Sequence, residues 1–199
     1  MGAVTPIGVG TGTYWENLTS GKCGIDRISS FDAGGLAVQI AAEISDFNAA
    51  EYLPGKLIRE TDAFTQYAFA AAKEAQKAVR VMSMDQREKI ISVIRRKTHE
   101  NAEIIARMGV DETGMGNVGD KILKHKLTAD KTPGTEDITT VAWSGDRGLT
   151  LVEMGPFGVI GAVTPVTNPF ATIFGNTICI LAGGNTVVFN AHTAALKCS

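Results

Sequence analysis

The chain has 199 residues, 44% of them apolar and 20% charged, with a formal net charge of -2. Such a length can bury the core of one large domain or two small ones, while the charge balance offers no basic excess for a nucleic acid or an anionic membrane. No run reaches the ~18 apolar residues of a membrane span, because Gly175, Asn176 and Thr177 interrupt the most apolar stretch.

Residues 1–58 are rich in Gly and Pro and poorly periodic. They read as loops with one helical turn near Tyr14 to Leu18 and a short alternating strand, Ala37 to Ala41. From Thr61, read as an N-cap, DAFTQYAFAAAKEAQKAV predicts a helix with Phe64, Tyr67, Ala68, Ala71 and Ala75 on one face. A second helix opens at Ser83, where Ser-Met-Asp-Gln forms a capping box, and runs through Ile90, Ile91 and Ile94. A third carries Ala102, Ile105 and Met108 and stops at the glycines after Thr113. Three helices in succession predict a helical layer.

After the polar linker KTPGTEDITT, the pattern predicts a strand over Leu149 to Met154 and, past a Gly-Pro-Phe-Gly turn, a buried strand over Val159 to Val163. PVTNP breaks that strand, Phe170 to Ala182 reads as a helix, Gly183-Gly184 ends it, and Thr186 to Phe189 is a further strand. This βαβ unit suits a right-handed crossover between parallel strands, so Thr164-Pro165 and Asn190-Ala191-His192 should emerge at one sheet edge, where open α/β sheets bind ligands. The fold class is α/β: a helical layer with a partial parallel, Rossmann-like sheet.

Several motifs carry less than they promise. GMGNVG, from Gly114 to Gly119, follows a helical segment rather than a strand, so it reads as a helix-to-helix turn and not a dinucleotide fingerprint. GVGTG at Gly8 lacks the third glycine and reads as a loop. Cys23, Cys179 and Cys198 show no metal-like or redox-like spacing and read as reduced thiols, Cys179 as a small buried hydrophobe. His99, His125 and His192 fit no ligand motif, so no metal is expected. Asn168, just before Pro169 at the first helical position, stands where an N-cap belongs. The same place, at the positive end of a helix dipole, also suits an amide donor for a developing oxyanion. No leader opens the chain, and Pro6 breaks the myristoylation pattern, which predicts a cytoplasmic protein.

AAKEAQKAV, DETGMG, KTPGTEDITT, GLTLVEMGPFGVIGAVTPVTNP and LAGGNTVVFNAHTAA together give residues from about Ala71 to Ser199 a close resemblance to the N-terminal part of CoA-acylating aldehyde dehydrogenases. These are the acetaldehyde and propionaldehyde type associated with bacterial microcompartments. The resemblance implies that the sheet belongs to a cofactor domain, that Val163, Thr164 and Pro165 line the nicotinamide site of NAD, and that Asn168 is the oxyanion-binding amide. It places the adenosine half of the cofactor at the turn containing Asn190 and His192, although the family commonly has a serine and a proline where this chain has Asn190 and Thr193.

MGAVTPIG, YWENLTSGKCGI, RISSFD, VQIAAEISDF and LIRETDAFTQYAFAAAKEA instead resemble the start of a 3-oxoacyl-acyl-carrier-protein synthase of the type II condensing enzymes, which have a thiolase-like fold. The peptide GAVTP occurs in both parts with unrelated flanks, so it is not an internal repeat; the two resemblances meet at AAKEA. Neither part aligns a cysteine with its family's nucleophile.

The resulting expectations are a condensing-enzyme-like segment over 1–75 and part of an aldehyde dehydrogenase NAD-binding domain over 76–199. The implied reaction joins a small aldehyde, coenzyme A and NAD to give acyl-CoA and NADH, in a homo-oligomer without nucleic-acid or membrane partners, cytoplasmic or within a microcompartment. A condensing-enzyme fragment and a non-catalytic composite chain are the alternatives.

Overall fold

The computed structural model describes residues 2–199, so Met1 of the MGAVTPIG motif lies outside the described residues. The chain divides into two compact units, one ending at Lys77 and one running from Ala78 to Ser199.

In the first unit, β1 (Val4–Thr5) and β2 (Gly8–Val9) form a tight antiparallel hairpin, and α1 (Thr11–Thr19) follows it. The helical turn expected near Tyr14 to Leu18 is therefore the middle of a longer helix. β3 (Asp26–Arg27) pairs with β4 (Ile40–Ala41) over two residues only. The strand expected over Ala37 to Ala41 shrinks to its end because a turn closed by Leu36 N–H on Ala33 C=O, at 3.0 Å, immediately precedes it. Thr61 does not open a helix: it ends α2 (Gly55–Glu60), its hydroxyl donating to the Leu57 carbonyl at 2.6 Å. The long helix, α3 (Ala63–Val79), begins two residues later. Phe47 stacks on Tyr52 and meets Tyr67 edge-on at 4.8 Å, anchoring the preceding loop to α3. Gly2 approaches α3 so closely that a side chain there would overlap the Ala71 backbone.

In the second unit, α4 (Met84–Thr113) is one uninterrupted helix of 30 residues, so the second and third expected helices are a single element. The polar run RRKTHEN between the two apolar patches contains no breaker. Thr98 joins the patches by keeping the buried face continuous through Ile91, Thr98, Ala102, Ala106 and Gly109, with its hydroxyl on the Ile94 carbonyl at 2.9 Å. The capping box forms as expected: Ser83 Oγ accepts from Gln86 N–H at 3.2 Å, and Gln86 Oε1 accepts from Ser83 N–H at 2.9 Å. Gly114, at φ 66°, ends the helix in the left-handed conformation that only glycine adopts freely.

GMGNVG is indeed a turn between helices, and it leads into α5 (Val118–Lys131), whose N-cap Asn117 accepts from Asp120 N–H at 2.9 Å. Small residues on α4 let α5 lie close, and Lys121, His125 and Ala129 form its buried face. Arg95 completes the end of α5 by donating to the carbonyls of Ala129 at 2.8 Å, Asp130 at 3.2 Å and Thr132 at 2.9 Å. The strand expected over Leu149 to Met154 is β6 (Gly148–Val152), paired antiparallel with β5 (Val141–Gly145), which the pattern does not reveal. Both strands are exposed along their whole length, so there is no one-sided alternation to read.

β7 (Val159–Val163), α6 (Pro169–Ala182) and β8 (Thr186–Asn190) form the predicted βαβ unit, with β7 and β8 parallel. Ile91 of α4 and Ile178 and Ala182 of α6 make the fully buried core, flanked by Ile94, Ile138 and Leu181. Cys179 departs from expectation. It faces outward, its thiol 3.4 Å from the Pro133 carbonyl, because Ile178 and Ala182 take the buried side of α6; the buried cysteine is Cys198.

Beyond β8, Glu112 near the end of α4 receives the backbone N–H groups of Lys197 and Cys198, each at 2.8 Å. Hydrogen bonds from the Cys198 thiol and the Lys197 backbone hold this carboxyl below its usual range. In turn, burial and the facing Glu112 push the Cys198 thiol up to about 11.

Two outcomes follow for the purified chain. Ile91→Ala should cost about 2–5 kcal/mol of unfolding free energy in urea titrations, while the neighbouring, half-exposed Ile90→Ala should stay within about 1 kcal/mol. Glu112 is charged more readily in the fold than in the unfolded chain, so its contribution is complete above the ordinary glutamate range and disappears as pH falls through the lower folded value. The stability difference between the wild type and Glu112→Gln should therefore be full at neutral pH and shrink below about pH 4.

Candidate functional site at the strand exits

The parallel register sets Val163 of β7 opposite Asn190 of β8. One residue on, Thr164 N–H donates to the Asn190 carbonyl at 3.0 Å, and the Thr164 hydroxyl reaches the same oxygen at 3.4 Å. Thr164 is buried by these contacts, whereas Val163, Pro165 and Asn190 stay open. Hence Thr164-Pro165 and Asn190-Ala191-His192 leave the sheet side by side, as the βαβ reading requires. The opposite end is tied by Asn185, whose Oδ1 accepts from Gly158 N–H at 2.8 Å. His192 is exposed, and its Nδ1 accepts from Ala194 N–H at 3.1 Å, capping the 3-10 turn Thr193–Ala195. That bond leaves the imidazole proton on Nε2.

Asn168 occupies the N-cap position of α6, but its side chain makes no capping hydrogen bond. The cap reading therefore holds for the backbone only, through Thr172 N–H on the Asn168 carbonyl at 3.1 Å. The carboxamide oxygen turns instead to α5 and accepts from Lys124 Nζ at 2.9 Å. One turn earlier on α5, the buried Lys121 donates to the Thr167 carbonyl at 3.1 Å.

These groups border a cleft of about 340 Å³ that Met115, Gly116, Asn117 and Asp120 also line. The helix-to-helix turn thus lines the same cleft as Asn168. Behind it, His125 packs edge-on to Phe170 and Phe174, and burial holds its imidazole below the usual range.

Lys121 and Lys124 are absent from the sequence-derived site. Their signal is weak: two lysines three apart share a helix face, but α5 has no apolar run long enough to announce it. Among the described residues, no cluster of three or more His, Cys, Asp or Glu is arranged to hold a metal ion, and no helix is long and apolar enough to cross a membrane.

Known proteins with similar chains fall into two groups. The larger includes an acetaldehyde dehydrogenase (acetylating) of Bilophila wadsworthia, 49% identical over 132 residues, 66% of this chain and 27% of that protein. The C269A mutant of a propionaldehyde dehydrogenase from the Clostridium phytofermentans fucose utilisation bacterial microcompartment is 77% identical over 64% of this chain and 30% of its own, with a TM-score of 0.62. An engineered glycolyl-CoA reductase with bound NADP+ and a Rhodopseudomonas palustris propionaldehyde dehydrogenase with bound propionyl-CoA are each 50% identical over 66% of this chain and 30% of theirs, with TM-scores of 0.64. The chain thus spans under a third of the length of these relatives.

The smaller group includes 3-oxoacyl-[acyl-carrier-protein] synthase 2 of Staphylococcus aureus, 44% identical over 77 residues, 39% of this chain and 19% of that protein. The model of the aldehyde dehydrogenase family matches residues 48–198. With three quarters of its length accounted for in this way, the chain belongs to the aldehyde dehydrogenase family.

Proposed function

We propose that residues 76–199 are part of the NAD-binding domain of a CoA-acylating aldehyde dehydrogenase and that residues 1–75 are a condensing-enzyme-like segment joined to it. The reaction is oxidation of a small aldehyde with coenzyme A and NAD to an acyl-CoA and NADH. The observation that carries this reading is Asn168: a carboxamide at the start of α6 whose oxygen is held by Lys124 instead of capping the helix, which turns its NH₂ away from that lysine. Attack on an aldehyde carbonyl moves charge onto its oxygen, and a preorganised N–H donor is the group that stabilises it.

The strand exits fit the cofactor. Val163, with 75% of its surface open, and Pro165 offer an apolar face to a nicotinamide ring, while the exposed Asn190 and His192 offer polar groups to the adenosine ribose. NAD bound there would supply the hydride acceptor; the chain's own part is to place the aldehyde oxygen within reach of Asn168 Nδ2. The NADP+ and propionyl-CoA in related structures support the cofactor pair. The origin of the Clostridium relative supports a place in a bacterial microcompartment.

The β5–β6 hairpin supports a homo-oligomer. Val141 and Trp143 are exposed on one of its faces, Leu149 and Leu151 on the other, and a hairpin with two open apolar faces is stable only when something covers it. The similarity to 3-oxoacyl-acyl-carrier-protein synthase 2 favours a second reading, a condensing-enzyme fragment, which would form carbon-carbon bonds from malonyl-acyl carrier protein without NAD.

Residues 78–199 set into the matched region of the Clostridium propionaldehyde dehydrogenase without the C269A substitution should sustain propanal oxidation dependent on both NAD and coenzyme A. A folded but inactive graft overturns the dehydrogenase reading. In that graft Asn168→Ala should lower kcat about 10²- to 10³-fold. Because the side chain caps nothing, the same change should alter unfolding free energy only by the worth of its one hydrogen bond to Lys124, about 1 kcal/mol. A loss under tenfold removes the oxyanion role. Trp143→Asp should shift the sedimentation coefficient of the 199-residue chain toward a smaller species; unchanged sedimentation takes the hairpin out of the interface.

A further inference from the structure

The carboxamide of Asn168 has two chemically different ends, and only the NH₂ end serves an oxyanion. A side chain at an N-cap ordinarily turns its oxygen inward, onto the free N–H groups of the first helical turn. That rotamer would satisfy α6 and leave the orientation of the NH₂ to the helix. Here the oxygen is drawn the other way by an ammonium on a different helix, with Lys124 Nζ at 2.9 Å. Flipping the amide would set NH₂ against NH₃⁺, donor against donor, so the lysine admits only one of the two orientations.

Lys124 turns to Asn168, while the carboxylate one turn back on its own helix is bonded to the N-cap. Asp120 lies four residues earlier on α5, the spacing at which a carboxylate pairs with a lysine on one helix face. Its Oδ2 instead accepts from Asn117 Nδ2 at 2.5 Å, within the N-cap of α5. The lysine's own placement is fixed one turn back, where buried Lys121 clamps the Thr167 carbonyl. Thus α5 grips two consecutive residues of the β7–α6 connection, the backbone of Thr167 through Lys121 and the side chain of Asn168 through Lys124. Arg95 holds the far end of the same helix to α4.

We propose that Lys124 is a positioning residue for the aldehyde-oxidising reaction: it selects the Asn168 orientation that presents Nδ2 to the substrate oxygen. A cation on the amide oxygen also draws electron density from the nitrogen, which makes its N–H a stronger donor as negative charge builds on the carbonyl. This rests on the reading of Asn168 given above. The effect belongs to the transition state, so its loss lowers kcat without a matching change in KM.

A double-mutant cycle in the grafted enzyme tests this. Lys124→Met removes the ammonium and keeps the unbranched stem as far as Cε. It should lower kcat about tenfold, less than removal of the donor itself, with KM for propanal changed less than twofold. In the Asn168→Ala background the same substitution should have no further effect, since nothing remains to be oriented. An unchanged kcat in the parent background, or an equal loss in both backgrounds, overturns the role of Lys124. If Asn168→Ala itself costs less than tenfold, it is the reading of Asn168 that fails.

A second measurement uses the 199-residue chain and needs no turnover. The side-chain NH₂ resonances of Asn168, identified by their absence in Asn168→Ala, should move in Lys124→Met; resonances that stay in place also overturn the proposal.

Discussion

Everything at the candidate site depends on the parallel pairing of β7 with β8 in one register. With Val163 opposite Asn190, two chain exits lie a strand's width apart; a slip of one residue would turn the exposed Val163 inward and the buried Thr164 out. Two strands cannot hold a register by themselves. The register is held by Asn185, which ties the start of both strands, and by α6, whose Ile178 and Ala182 are pinned against Ile91 of α4. A small apolar core on one side of the helix therefore decides where polar groups emerge at the other end of the sheet.

A second constraint comes from α5. Burying Lys121 is costly unless its ammonium is satisfied, and the Thr167 carbonyl satisfies it. The pairing works in both directions, because Thr167 precedes a helix start and its backbone has no strand partner. Small residues on α4 make the arrangement possible: at Gly109 an added Cβ would sit 3.8 Å from the Lys121 side chain, so anything larger would crowd the lysine stem. Close helix packing, rather than a conspicuous motif, brings two lysines to the β7–α6 connection.

The βαβ unit was legible because each of its parts has its own punctuation: β-branched runs for the strands, Asn-Pro to open α6 and Gly-Gly to close it. The capping box at Ser83 and the turn nature of GMGNVG were legible for the same local reason. What escaped was set by tertiary context. Thr98 reads as a polar interruption, yet it bonds to its own helix and so bridges two patches of one long α4. Cys179 looks like a core residue in an apolar run, but a helix in contact on one side buries only part of such a run. Strand β5 shows no alternation because neither of its faces is covered. The site divides along the same line. The chain exits and the N-cap place of Asn168 could be read from sequence, whereas its carboxamide oxygen meets Lys124, 44 residues away in the chain, and no local pattern encodes that contact.

The meeting point of the two sequence resemblances has its own physical logic. AAKEA lies inside α3, where every backbone hydrogen bond is local and alanine, lysine and glutamate all favour the helix. A join within a strand would need the partner strand of the same parent to complete its ladder, and a join within a core loop would need matching side chains. Within α3, Ala70 just before that pentapeptide and Ala72 inside it are buried, and the residues that follow continue the same helix. An unbroken α3 thus spans the place where the two resemblances meet, and the boundary between the compact units, at Lys77 and Ala78, falls inside it.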